Sequence, residues 1–203
     1  MFYRFAWVVC GFFLKTVRRM EVRGAENIPL RGGLVLVSNH RSYWDPVVIG
    51  CAMPNTRQIF FMAKHELFKV PFLGPVITAL GAFPVKRGGA DRNAIRTALG
   101  HLAEGRVVGI FPEGTRSKGE DMLEPHMGAA MLSARTGSPV LPVAVIGTKG
   151  FLGKVKIVFG TPMTPDLPQA GGAKAGRNEL MVISRAIMDR VADLMASKSG
   201  DKD

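Results

Sequence analysis

"GLVLVSNHRSYWDP", Gly33 to Pro46, sets a short aliphatic run directly against a polar turn. The run from Leu34 to Val37 reads as a strand covered on both faces, because nothing in it alternates with polar residues. The chain surfaces at Ser38, and His40 then precedes Asp45 by five positions. Two readings are open at this point: a loop with a polar cap, or a general base with its orienting carboxylate.

The second reading has a geometric basis. If a helix begins near the pair, five helical residues rise only about 7.5 Å, and Cβ atoms lean toward the N-terminus, so the aspartate can reach back. His40 would then receive the carboxylate on Nδ1 and present Nε2 to a cleft, which is the base-and-orienter half of a catalytic triad. The nucleophile of a triad is missing. Ser42 is expected to cap the turn together with Asn39, which leaves the reacting hydroxyl to come from the substrate. The spacing by itself does not decide between the readings.

Outward from this stretch, apolar runs alternate with helical patterns. Residues 33–39, 58–63, 81–85, 107–111, 140–146 and 154–160 read as buried strands. Behind an Asp91 cap, Ile95, Ala98, Leu99 and Leu102 fall on one helical face ahead of Gly105, with His101 on the more polar side. "GAAMLSARTG" and "NELMVISRAIMDRVADLMAS" supply two more helices. The alternation predicts an α/β fold: a single domain whose mixed, mostly parallel sheet is flanked by helices, behind an N-terminal amphipathic, apolar segment. That segment is expected over 1–20, the domain over 21–197 and a disordered tail over 198–203, with a mobile surface loop over 165–176.

Charge narrows the partners. Lys and Arg number 27 against 16 Asp and Glu, a net +11, so an anionic partner is expected: nucleic acid, an acidic membrane surface or a phosphorylated substrate. Cys10 and Cys51 show neither a disulfide framework nor metal-ligand spacing, which fits a reducing, cytosol-facing location. At the N-terminus the longest apolar run, Phe5 to Leu14, is far short of the roughly 20 residues a bilayer span needs. Its flanking Arg4, Lys15, Arg18 and Arg19 and its aromatic residues suit the interface of an anionic membrane; a helix packed on its own domain is the other possibility. Val70 to Val85 carries no charge, but its three prolines forbid one continuous helix. It is either a core helix leading into a strand or an apolar surface lying against lipid or an acyl chain.

Two further stretches bear on chemistry. "FPEGTRS", Phe111 to Ser117, leaves a strand and supplies a carboxylate, a flexible amide, a hydroxyl and a guanidinium in Glu113, Gly114, Thr115 and Arg116. Gly114 permits close backbone approach to an oxyanion, Thr115 adds a donor, and Arg116 offers the planar fork that grips phosphate. "GAFPVKR" ends another strand in Lys86 and Arg87. Strand-end sites of this kind converge where open α/β sheets bind ligands, beyond the carboxyl ends of the strands.

On these residues the chain resembles the glycerophospholipid acyltransferases, and most of all the 1-acylglycerol-3-phosphate (lysophosphatidate) acyltransferases. "NHRSYWD", "GAFPVKR", "FPEGTRS" and "VLPVAV" resemble the four family blocks in order, and "AKHEL" also matches. The resemblance implies that His40 and Asp45 form the catalytic dyad and that Arg87, Glu113, Gly114, Thr115 and Arg116 hold the phosphorylated acceptor. It implies an acyl-CoA or acyl-carrier-protein donor, a lysophospholipid acceptor, no metal and no separate cofactor, and work at the cytoplasmic face of the cell membrane as a peripheral or monotopic protein. One departure is His126, which stands in "PHMG" where the family pattern has a lysine. His65 and His101 have no partner by sequence.

Other classes fit less well. Nucleic-acid binding is disfavoured because the basic residues are scattered rather than interleaved with aromatics. An esterase would be expected to carry a G-x-S-x-G elbow, which is absent. The alternatives that survive are acyl transfer to glycerol-3-phosphate or another lysolipid, and a non-catalytic lipid-binding protein.

Overall fold

The computed structural model describes residues 1–86, 89, 91–116, 123–165 and 176–196. Arg87 and Ser117 lie outside the described residues, as do all but the ends of the loop expected over 165–176 and the whole tail expected over 198–203.

Among the described residues seven strands form one sheet: β1 (Glu21–Arg23), β2 (Leu34–Ser38), β3 (Ile59–Lys64), β4 (Phe83–Val85), β5 (Val107–Ile110), β6 (Val140–Ile146) and β7 (Lys156–Phe159). Their spatial order is β1-β7-β6-β2-β5-β3-β4, and every pairing is parallel except β6 with β7. This is the mixed, mostly parallel α/β sheet that the alternating pattern predicts. β1 is absent from the sequence reading: three residues, two of them charged, give no periodicity, and only pairing with β7 makes them a strand.

Among the described residues six α-helices accompany the sheet: α1 (Phe2–Thr16), α2 (Asp45–Ala52), α3 (Leu73–Ala79), α4 (Arg92–Ala103), α5 (Gly128–Thr136) and α6 (Arg177–Ala196). The period-two geometry of β2 divides the core between them. Leu34 and Leu36 point to a cluster with Leu14, Val48 and Ile49 from α1 and α2. Val35 and Val37 point to another with Ala98 and Leu102 of α4, Leu132 of α5 and Ile187 and Val191 of α6. All five β2 residues are buried, which accounts for the unbroken aliphatic run.

The cap at α4 forms as expected, Asp91 accepting from the amides of Asn93 and Ala94 at 3.0 and 3.2 Å. Its buried stripe is Ala94, Ala98 and Leu102, with Ile95 and Leu99 only partly covered. His101 has partners that sequence could not reveal: its ring stacks on Phe60 at 4.1 Å, and Arg106 lies 3.1 Å from its Nδ1.

The structure settles the two apolar stretches differently. α1 is both packed and exposed: Gly11 and Leu14 are buried, while Phe2, Phe5, Val8, Val9 and Phe12 face outward. Arg18, read from sequence as one of the flanking cations, is instead fully buried. Its guanidinium donates to the carbonyls of Gly153, Gly150 and Gly147 at 2.7, 3.2 and 2.8 Å. The loop after β6 curls around it, so the charge is met by backbone dipoles and not by lipid headgroups. In the stretch from 70 to 85 Gly74 of α3 and Phe83 of β4 are buried, and Val70, Phe72, Leu73 and Val76 are exposed. Its helical part is therefore an apolar surface and not a core helix, while the strand that follows enters the core at Phe83. No helix among the described residues is long and apolar enough to cross a membrane.

Candidate active site

β2 runs parallel to both of its neighbours, with Val37 beside Ile110 of β5 and Ser38 beside Val143 of β6. The loops leaving all three strands therefore emerge side by side. β2 is extended one residue past its end by Asn39, whose buried amide donates to the Val145 carbonyl at 2.9 Å and accepts from the Val145 amide at 2.8 Å. Asn39 mimics a peptide group in the sheet and so does not cap the turn, contrary to expectation. Ser42 does help shape the turn, its hydroxyl accepting from the Trp44 amide at 3.2 Å.

With β2 anchored in this way, His40 is the first side chain free of the sheet. Its Nδ1 lies 2.9 Å from Oδ2 of Asp45, the first residue of α2. Pro46 behind it suits a helix start, where no backbone donor is needed. Oδ2 also accepts from the amides of Arg41 at 2.6 Å and Ser42 at 2.7 Å, so the turn wraps the carboxylate that the histidine needs. The Asp45 side chain is wholly buried and that of His40 is 15% exposed, so what is open of the pair is the imidazole. The imidazole face is held by Phe111, stacked at 4.1 Å, and Phe111 in turn by Phe61 at 5.5 Å. The imidazole thus has a held ring plane and a buried carboxylate on Nδ1.

The second strand-end loop approaches the same place. Gly114 has φ 65°, a left-handed turn that glycine takes without strain, and a Cβ there would sit 2.8 Å from Nε2 of His126. His126 thus lies directly over the turn. Arg116 reaches to the histidine's own loop: its guanidinium lies 3.7 Å over the Tyr43 ring and donates to the Tyr43 hydroxyl at 2.9 Å. Thr115 and Arg116 are exposed. A guanidinium stacked this way keeps further N–H donors for an anion.

Glu113 departs from the expectation that it faces a substrate. It is buried, and its two oxygens accept from the amides of His40 and Leu123, each at 3.1 Å. It ties the β5 loop to the His40 backbone. Tyr43 and Phe111 were missed as site residues. Each lies beside a motif residue, but a loop aromatic has no periodicity to show which way its ring turns. Lys64 pairs with Glu66 at 3.4 Å.

The sequence matches the family model described as "Acyltransferase" over residues 19–146, more than half of the chain. It is 31% identical over 195 residues to a 1-acyl-sn-glycerol-3-phosphate acyltransferase of Bacillus subtilis, covering 91% of this chain and 94% of that one. It is 32% identical over 154 residues to a protein of the same name from Borreliella burgdorferi, covering 72% of this chain and 58% of that one. Among solved structures, PlsC of Thermotoga maritima, a 1-acyl-sn-glycerophosphate acyltransferase, superposes with a TM-score of 0.69 at 29% identity, covering 96% of this chain and 81% of that one. A family match of this extent, on a fold and a strand-end site of this kind, means that the chain belongs to the acyltransferase family.

Proposed function

We propose that the protein moves a fatty acyl group from an acyl thioester to the free hydroxyl of 1-acylglycerol-3-phosphate, giving phosphatidate for phospholipid synthesis. The observation that carries this reading is the His40–Asp45 pair, 2.9 Å apart and clamped beside the Gly114–Arg116 turn. Nε2 of His40 takes the proton of the acceptor hydroxyl as its oxygen attacks the thioester carbonyl. Asp45 stabilises the imidazolium through Nδ1. The tetrahedral adduct collapses by breaking the C–S bond, and the imidazolium returns its proton to the departing thiolate. No covalent acyl-enzyme forms, and the energy of the thioester removes any need for a cofactor beyond the donor, acyl-CoA or acyl-carrier protein. The Gly114 amide, Thr115 and Arg116 hold the acceptor's phosphate; Arg87 joins them on the family resemblance alone.

The acceptor is a membrane lipid, and the surface of α1 suits a bilayer interface. Phe2, Phe5, Val8, Val9 and Phe12 make an exposed apolar stripe at helical spacing, with exposed Arg4 and Lys15 along one flank. Phe72, Leu73 and Val76 of the α3 region add apolar surface. Together with the net +11 this supports attachment to an anionic membrane surface on its cytoplasmic face, peripheral or monotopic, rather than to nucleic acid.

The test is direct. Purified protein given lysophosphatidate and acyl-CoA is expected to release CoA and form phosphatidate, and His40→Ala or Asp45→Asn to lower kcat by about 10²–10⁴. Wild-type rates in both variants would sink the dyad. Full-rate thioester hydrolysis without acceptor would indicate a thioesterase, and a panel of glycerol-3-phosphate and other lysolipids fixes the acceptor.

A further inference from the structure

Directly after β6 the chain reads "GTKGFLGK", residues 147–154, with two large apolar side chains set between two lysines. Phe151 and Leu152 at its tip are 59% and 70% exposed. The loop that presents them is held from beneath. The buried Arg18, just past the end of α1, donates to the carbonyls of Gly147, Gly150 and Gly153, and its guanidinium lies 5.9 Å from the Trp44 ring centroid. Phe151 stands edge-on to Trp44 at 5.9 Å and 5.7 Å from the Phe13 ring, and Phe13 stacks on Trp44 at 5.9 Å. These three rings join the loop, α1 and the residue that precedes Asp45.

Two observations identify what covers the tip. The first is continuity. Phe13 is one step of about 100° around α1 from Phe12, on the flank away from Arg4 and Lys15. The outward stripe of Phe2, Phe5, Val8, Val9 and Phe12 therefore runs on through Phe13 to Phe151 and Leu152. A lone exposed apolar side chain is ordinary, but an apolar surface continuous across two elements marks a binding face. The second is charge. Arg4, Lys15 and Arg19 are exposed on the same segment, where no acid precedes Glu21, and Glu21 is itself paired with Lys154 at 3.0 Å. Apolar tips bordered by cations fit the headgroup boundary of an anionic bilayer.

We propose that the loop from Lys149 to Lys154 is a second membrane-contacting element, whose Phe151–Leu152 tip enters the same lipid surface as α1. The inference rests on the membrane attachment proposed above and adds an orientation to it. A domain held to a bilayer by one amphipathic helix is free to roll about the helix axis. A second contact off that axis, fixed to the end of α1 by Arg18, stops the roll. The tip packs on Trp44 and Trp44 precedes Asp45, so the side of the domain that carries the dyad is turned to the lipid. A lipid acceptor then reaches His40 with its acyl chain still in the bilayer.

Leu152→Glu tests the tip, with Val182→Glu as its control. Val182 is an exposed apolar residue of α6, which packs on the face of the sheet opposite α1, so the control makes the same charge change elsewhere. In sedimentation with phosphatidylglycerol vesicles, Leu152→Glu is expected to lower the partition coefficient about fivefold or more and Val182→Glu to change it less than about twofold. Leu152→Cys, in a Cys10→Ser background that leaves only the buried Cys51, carries an environment-sensitive fluorophore. Its emission is expected to shift to the blue on addition of the vesicles and to be quenched by lipids brominated on their acyl chains. Equal binding by Leu152→Glu and wild type, or a label that the vesicles leave unchanged, overturns the loop contact while attachment through α1 stands. An equal loss in Val182→Glu assigns the effect to net charge and overturns it as well. If wild type does not bind the vesicles, the attachment reading falls and this proposal with it. Acyl transfer to a short-chain lysophosphatidate dispersed as monomers should be the same in Leu152→Glu as in wild type; a loss there would place Leu152 at the substrate and not at the membrane.

Discussion

His40 is held from three directions, as the proposed role of a base requires. Asp45 holds Nδ1, Phe111 covers one ring face, and Glu113 anchors the backbone amide. Rotation of the ring would break the bond to Asp45 and the stack on Phe111, so the imidazole is oriented in advance of any reaction. Arg116 is held more loosely, by one hydrogen bond and a stacked ring on an exposed surface. A residue so placed contributes to binding more than to the chemical step. Arg116→Ala is expected to raise the acceptor KM about tenfold, the worth of a partly solvated charge-assisted contact, with a smaller effect on kcat. Arg116→Lys should recover little of it, because an ammonium lacks the planar fork that both stacks on Tyr43 and grips phosphate. A variant with unaltered acceptor KM and kcat would remove Arg116 from the site.

At the scale of elements, α1 and α4 carry the two devices that sequence alone could not show. Arg18 closes the C-terminal end of α1 onto the loop from Gly147 to Gly153. Arg18→Met keeps much of the volume but leaves three carbonyls without their donor, and is expected to cost about 2–4 kcal/mol in urea denaturation. A loss below about 0.5 kcal/mol would mean that water replaces the guanidinium. On α4, desolvation lowers the His101 pKa from its ordinary 6.5, and the Arg106 cation adds to the effect against a smaller opposing pull from Glu104. The unfolded chain then takes up a proton at a pH where the folded chain stays neutral. The stability contributed is complete above about pH 6.5 and is lost as the pH falls through the depressed folded value. His101→Phe keeps the stack on Phe60 and cannot titrate, so its Tm should fall less steeply than that of wild type between pH 6.5 and 5. Equal slopes would show that His101 is not the group responsible.

Over the whole molecule, the strand order places three strand ends at one edge of the sheet, and the loops after β2, β5 and β6 build the site there. This is the position open α/β sheets favour, because parallel strands end together while helices cover both faces. The apolar stripe of α1 and the exposed side chains near α3 belong to the same molecule as a net charge of +11. Sedimentation with anionic phosphatidylglycerol vesicles is expected to carry the protein down, and Phe5→Glu with Phe12→Glu to reduce the bound fraction about tenfold or more, since each buried phenyl ring contributes about 1.5–3 kcal/mol. Raising the salt should weaken binding further by screening the cations. Undiminished binding by the double variant would place the contact elsewhere.

The sequence by itself determined the fold class, the strands of the central sheet, the Asp91 cap and the His40–Asp45 pair. Each of these is written in local period or short-range spacing: a strand buried on both faces must be aliphatic throughout, and an aspartate at a helix start can reach only a few residues back. It also singled out the Gly114–Arg116 turn, whose residue types are legible without coordinates. Only the tertiary structure decided what depends on contact between distant segments. Arg18 is a surface cation by its neighbours and a buried one by its contacts with a loop some 130 positions on. Glu113 reads as a ligand-facing carboxylate until the amides of His40 and Leu123 are seen to occupy it. β1 exists because β7 pairs with it. Strand order is set by long-range packing, which no local pattern encodes.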